Sequence, residues 1–313
     1  MNIASSCQET VPQLLRACEP LFGQWRIQDF LGSGSFACVY SVERQDKPGK
    51  WISALKVIPL LPGLVDPEHP DKSLRRMISK STQEITTLYQ LGNHSNVVGL
   101  QNFQIMRFPP HRKTVLICIM MDYLPLTLQD ILGQGPVGLT RGIEILNDCL
   151  NGLAYIHDRD TLHRDIKPAN IFLDEQGQAK IGDFGIARPL MGMLRDKTIV
   201  GTPLYMAPEL FFNPGDEVYG TTTDIYALGL VAYRTFYGGL PFEGDSASTM
   251  ESISRRMKGE PITCPPGLPP ELSSILTKAL AYDPGQRFQS AKRFKEALEA
   301  VRLNPPGKSD SPI

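Results

Sequence analysis

The stretch His163-Arg164-Asp165-Ile166-Lys167-Pro168-Ala169-Asn170, followed by an apolar run and then Asp183-Phe184-Gly185, constrains this chain more than any other part of it. Two apolar segments, Ile171-Phe172-Leu173 and Ala179-Lys180-Ile181, flank the turn-prone Glu175-Gln176-Gly177, and that pattern predicts a short hairpin. A hairpin returns the chain on itself, so the Asn170 end and the Asp183 end meet at one edge. Asp165, Lys167, Asn170 and Asp183 then gather around one point. Asn and Asp oxygens suit a hard divalent cation that prefers oxygen ligands and substrate phosphates. A second aspartate, held off the metal, can accept a proton from a hydroxyl. A lysine beside it can steady a phosphoryl oxygen.

These residues resemble the catalytic loop and the metal loop of the eukaryotic-type (Hanks-type) serine/threonine protein kinases, H-R-D-x-x-x-x-N and D-F-G. The resemblance extends over residues 23 to 300 or so. It implies an α+β, bilobal fold with ATP in the cleft. The small β-rich lobe with one main helix would span 23–121, the hinge 122–125, and the larger helical lobe 126–301. Residues 1–22 read as an N-terminal extension, helical from Val11 to Leu21. The segment 302–313, rich in Pro, Ser and Gly, reads as a disordered tail.

Within the first lobe, a strand over Arg26–Leu31 runs into Gly32-Ser33-Gly34-Ser35-Phe36-Ala37-Cys38-Val39. Glycines in such a turn let backbone N–H groups approach phosphates closely. The family pattern G-x-G-x-x-G-x-V is met at Gly32, Gly34 and Val39, with Ala37 in place of the third glycine. Leu31 and Ser33 complete that loop. Ser53-Ala54-Leu55-Lys56-Val57-Ile58 resembles the kinase strand V-A-I-K, which makes Lys56 the holder of the α- and β-phosphates and puts Ala54 beside the nucleotide. Pro59 to Asp71 reads as a loop and Ser73 to Leu91 as a helix carrying Glu84, the expected ion-pair partner of Lys56. Two strands follow, over Asn96–Phe108 and Thr114–Tyr123. The second contains the continuous apolar run Val115–Met121, which predicts a central strand. By resemblance Met121 is the gatekeeper beside the adenine, main-chain groups of Asp122 and Leu124 bond its edge, and Phe172 joins the same binding set.

Past Leu126 the pattern is helical. Leu139–Asp158 leads into the catalytic loop. Ile186 to Pro208 is a long loop ending in Gly201-Thr202-Pro203-Leu204-Tyr205-Met206-Ala207-Pro208-Glu209, which resembles an activation segment with its A-P-E motif. The resemblance gives Asp224 a scaffold role against the catalytic-loop backbone and makes Glu209 and Arg287 a buried ion pair. Arg164, beside Asp165, invites a phosphate. Thr198 stands at the spacing of an activating phosphothreonine, with Arg188 as a second basic group and Lys80 as a third.

The implied activity is transfer of the γ-phosphoryl of ATP, with Mg²⁺ or Mn²⁺, to Ser/Thr hydroxyls of proteins. Lys167, two residues after Asp165, and the pair Gly201-Thr202 carry the serine/threonine preference. The Gly-Thr…Ala-Pro-Glu segment separates the chain from small-molecule kinases, and the full set of chemical residues separates it from a non-catalytic scaffold. A net charge of −1 gives no global field toward nucleic acid or anionic lipid. No C-x-x-C pair occurs among the six cysteines, and Cys118 and Cys149 read as buried free thiols, which fits a reducing compartment. Without an 18-residue apolar run or a leader pattern, the expected location is cytoplasmic, with no insertion into a membrane.

Overall fold

The computed structural model describes residues 9–34, 37–47, 49–60, 70–108, 114–184, 203–212, 218–243 and 249–301. They divide into two compact units, one up to Pro125 and one from Leu126 onward.

The first unit opens with helix α1 (Thr10–Arg16) and continues into strands β1 (Arg26–Ser33), β2 (Cys38–Asp46) and β3 (Gly49–Leu60). Helix α2 (Pro70–Gln90) precedes β4 (Leu100–Arg107) and β5 (Val115–Asp122). The strands pair antiparallel in the order β1-β2-β3-β5-β4. The apolar run of β5 accordingly sits between two neighbours, and its first six residues are all buried. β3 runs two residues past the predicted loop start, through Pro59 to Leu60, paired with Leu116 and Val115. β2 reaches only Val57, through Cys38, so β3 is locally an edge at Pro59, the kind of place where a sheet tolerates proline. Helix α2 begins at Pro70 rather than Ser73, since proline is tolerated in a first helical turn.

Side chains alternate across a strand, so register decides which residues share a face. Val39 lies opposite Lys56, Lys56 opposite Ile119, and Ala54 opposite Met121, which puts four of the expected nucleotide residues on one face of the sheet. The other face carries Cys38, Tyr40, Val42, Leu55, Val57, Leu116, Cys118 and Met120. It packs beneath Val11, Leu14, Leu15, Leu21 and Trp25. The N-terminal extension is therefore a lid on the apolar outer face of the sheet. Its sequence shows mixed apolar positions but not what they cover. Cys118 and Cys149 are buried free thiols, as expected. Burial pushes Cys118 up to about 12 and Cys149 higher still, so neither is a nucleophile. Cys38, however, is disulfide-bonded, which cysteine spacing did not show and which qualifies the reading of a reducing environment.

The second unit contains β6 (Leu126–Thr127), α3 (Leu128–Leu132), α4 (Leu139–His157), β7 (Ile171–Leu173) and β8 (Ala179–Ile181). After these come α5 (Glu209–Phe212), α6 (Thr221–Tyr237), α7 (Thr249–Met257), α8 (Pro270–Ala279) and α9 (Ala291–Glu299). α4 and α6 are apolar on most positions and form the core, with α6 buried along nearly its whole length. The predicted hairpin is present at the predicted residues as β7–β8, with β6 added alongside β7. Among the described residues no helix is long and apolar enough to cross a membrane.

Candidate active site

The hairpin holds the site together. Gly177 closes its turn with φ +81°, a conformation that glycine reaches without penalty. The carboxylate of Asp174 accepts from the N–H groups of Gln176 and Gln178, at 3.1 and 2.8 Å. Helix α4 clamps the turn from below. Asp148 Oδ2 accepts from Ala179 N at 2.9 Å, and the Arg141 guanidinium donates to the Gly177 carbonyl. At the other end Gly182 N donates to the Asn170 carbonyl at 2.9 Å. That bond brings Asp183, the next residue, to the Asn170 end of the hairpin.

Around Asp165 the side chains converge. Its Oδ2 accepts from Lys167 Nζ at 2.8 Å and from Asn170 Nδ2 at 2.9 Å. The same Asn170 amide donates to the Asp165 carbonyl at 2.8 Å. Charge-assisted bonds of this kind hold a carboxylate in one orientation. With its N–H₂ group turned to Asp165, Asn170 directs its amide oxygen elsewhere. Amide and carboxylate oxygens of the kind that Asn170 and Asp183 carry suit a hard divalent cation.

The loop backbone is strained at two places. Arg164 has φ +65° and Asp183 φ +55°, the left-handed region that costs a non-glycine residue on the order of 1–3 kcal/mol. Asp224 on α6, 2% exposed, offsets the first. Its carboxylate accepts from His163 N at 2.8 Å, Arg164 N at 2.9 Å and His157 Nε2 at 2.9 Å. Burial alone would raise the Asp224 carboxyl, but the hydrogen bond and charge of His157, with His163, hold it below the ordinary carboxylate range. His163 is itself fully buried and stacks on Phe184 with ring centroids 4.7 Å apart. Burial holds its imidazole below the usual range, against the pull of Asp224 and Asp165. The scaffold role assigned to Asp224 is thus present, and its contact with His157 is an addition that sequence reasoning missed.

A matching model of the protein kinase domain spans residues 25–299. The chain belongs to the protein kinase family. Relatives include serine/threonine-protein kinase PknB of Mycolicibacterium smegmatis, 33% identical over 205 residues, covering 62% of this chain and 31% of that protein. PknB of Mycobacterium tuberculosis is 34% identical over 199 residues, 60% of this chain and 31% of the relative. PknA of Mycobacterium tuberculosis is 29% identical over 298 residues, 93% of this chain and 65% of the relative. The matches thus span about a third of the length of the PknB relatives. Protein kinases as a family use ATP and a divalent metal.

The remaining predicted positions of this kinase domain fall as follows. Lys56 is 6% exposed on β3. Glu84 belongs to α2, but its side chain lies outside the described residues. Leu31, Gly32 and Ser33 form the end of β1, with Gly34 next, and Phe172 is half-buried in β7. Glu209 and Arg287 make a two-pronged ion pair, both contacts 2.8 Å, with Arg287 also donating to the carbonyls of Ala281, Tyr282 and Thr222. Arg164 stacks its guanidinium over Tyr219 at 5.7 Å. Thr198, Arg188, Gly201 and Thr202 lie outside the described residues, as does the side chain of Lys80.

Proposed function

We propose that this protein is a serine/threonine protein kinase that transfers the γ-phosphoryl group of Mg-ATP to Ser and Thr hydroxyls of proteins. The observation that carries this reading is the Asp165 carboxylate, held at 2.8–2.9 Å by Lys167 and Asn170 one hairpin away from Asp183. A carboxylate in that setting can orient a hydroxyl and accept its proton. Relatives named serine/threonine-protein kinases support the same reading.

Asp165 orients the acceptor hydroxyl and takes its proton as the new oxygen–phosphorus bond forms and the bond to the ADP oxygen breaks. Lys167 stabilises charge on the phosphoryl group in transit. Asn170 and Asp183 hold Mg²⁺, with Mn²⁺ the alternative, and the bound ion supplies neutralisation of phosphate charge. Lys56, paired with Glu84, fixes the α- and β-phosphates. Leu31, Gly32, Ser33, Gly34 and Val39 cover the phosphates, and Ala54, Met121 and Phe172 flank the adenine. Main-chain groups of Asp122 and Leu124 read its edge. Little covalent work falls to the protein, so positioning and electrostatics supply the acceleration. Phosphorylation of Thr198, met by Arg164 and Arg188, raises activity.

The test is labelled-phosphate transfer from Mg-ATP to a generic protein substrate. Asp165→Ala and Asp183→Ala each lose on the order of 10³-fold in rate, ~4 kcal/mol of transition-state stabilisation. Asp183→Ala also weakens metal-dependent nucleotide binding, while Asp165→Ala leaves it intact. Normal turnover of Asp165→Ala would falsify the assignment. Phosphosite mapping after incubation with Mg-ATP, with the rate of Thr198→Ala, checks the switch, and a full rate in that variant after phosphatase treatment excludes it.

A further inference from the structure

The carboxylate of Asp122 ends β5 and faces back into the sheet. Its Oδ2 accepts from Gly99 N at 2.9 Å and its Oδ1 from Gln101 Nε2 at 3.1 Å. Gln101 Oε1 in turn accepts from Ser53 Oγ at 2.9 Å. Ser53 is 2% exposed on β3 and lies opposite Asp122 in the ladder. The main-chain N–H of Asp122 closes the set by donating to the Gly99 carbonyl at 3.1 Å. Three strands are therefore tied together through the Gln101 amide and the Asp122 carboxylate, at the point where the sheet gives way to residues 123–125.

Two features show that this geometry needs particular residues. Leu100 pairs with Met121 and Asn102 with Met120, so β4 advances two residues while β5 advances one, and Gln101 is the extra residue of a β-bulge. A bulge re-aims a side chain that regular alternation would send elsewhere. Here it sends the Gln101 amide to the Asp122 carboxylate. At Gly99, a Cβ would lie 2.8 Å from Asp122 Oδ2 and 3.2 Å from Oδ1, so only glycine admits the carboxylate this close.

We propose that Gln101, with Gly99 and Ser53, is a positioning residue for recognition of the adenine base. The inference rests on the kinase reading, in which the main chain at Asp122 and Leu124 bonds the adenine edge. Two donors on the carboxylate fix the Asp122 side-chain rotamer, and with it the orientation of the peptide plane whose carbonyl faces the base. Without them the same carbonyl samples a wider range, and ordering it is charged against base binding. The phosphates are held by other groups, so they are indifferent to the strut.

The experiment uses the full chain with Gln101→Ala, Gln101→Met and Gly99→Ala. Gln101 is exposed, so its truncation removes no core volume. The two Gln101 variants delete the donor. Gly99→Ala keeps it but pushes the carboxylate away. Inhibition constants are measured for adenosine and for inorganic tripolyphosphate with Mg²⁺, beside KM for ATP and kcat. The expected result is a rise of about five- to tenfold in the adenosine constant and in KM for ATP, with kcat and the tripolyphosphate constant within about twofold of wild type. Unchanged adenosine affinity in all three variants overturns the inference. So does an equal loss for tripolyphosphate and kcat, which marks a general structural defect. A wild-type chain that binds neither adenosine nor ATP overturns the kinase reading itself, and this inference with it.

Discussion

Asn170 donates its one side-chain amide group to both the main-chain carbonyl and the carboxylate Oδ2 of Asp165, at 2.8 and 2.9 Å. The residue expected only as a metal ligand therefore also orients the carboxylate proposed as the proton acceptor. The two roles use opposite ends of the amide, so they separate by mutation. Asn170→Asp keeps oxygen ligands but sets a second carboxylate against Asp165. We expect kcat to fall about 10²-fold, the scale of misplacing a reacting group, while KM for the metal–nucleotide pair changes little. Steady-state kinetics over a range of Mg²⁺ concentrations decides it, and an unchanged kcat would remove the positioning role.

The pair Glu209–Arg287 joins the start of α5 to the turn before α9, with Arg287 almost wholly buried and stacked over Tyr226 at 4.6 Å. Arg287→Met leaves Glu209 without its counter-charge and three carbonyls without their donor. The loss is about 3–5 kcal/mol, read as a lower urea midpoint. A midpoint within error of wild type would show that the pair adds nothing.

The N-terminal lid carries its own prediction. Leu15 is fully buried against the outer face of the sheet. Leu15→Ala costs about 2–5 kcal/mol through lost transfer energy and the cavity left behind. An exposed neighbour, Arg16, is the control, and Arg16→Ala shifts the same urea midpoint by less than about 0.5 kcal/mol.

Burial of neutral His163 makes stability depend on pH. Its folded value lies below the ordinary 6.5, so between the two values the unfolded chain binds more protons than the folded one. Stability therefore falls as pH drops below about 6.5, by up to about 1.4 kcal/mol per pH unit for one proton. Asp224 is likewise held below its ordinary value, so it acts in the same direction at lower pH. Held below 3.8, it contributes above that value and is lost only as pH falls through its folded one. Urea midpoints at pH 7.5 and 5.5 give the slope in wild type, and His163→Phe flattens it. An identical slope in the variant assigns the dependence elsewhere.

The sequence by itself determined the parts whose logic is local. The hairpin over Ile171–Ile181 follows from two short apolar segments about a glycine turn, and the β7–β8 register agrees with it. The place of β5 in the sheet follows from its unbroken apolar run, and Lys56 from a strand pattern two residues after Ala54. Each of these depends on neighbours a few positions away, where periodicity and turn chemistry act. Only the tertiary structure decided which distant groups meet. Nothing in Asn170 marks it as a donor to Asp165, because that depends on how the 3₁₀ turn at Pro168–Asn170 rotates the amide. Nothing in Val11, Leu14 or Leu15 says that they cover Val42 and Leu55 rather than another surface. Gln101 looks like any polar strand residue until an extra residue in β4 turns it toward Asp122. The physical reason is common to all three. Alternation and helical period encode which face of an element is apolar, whereas the partner of that face is chosen by packing across long sequence separations, which no local pattern records.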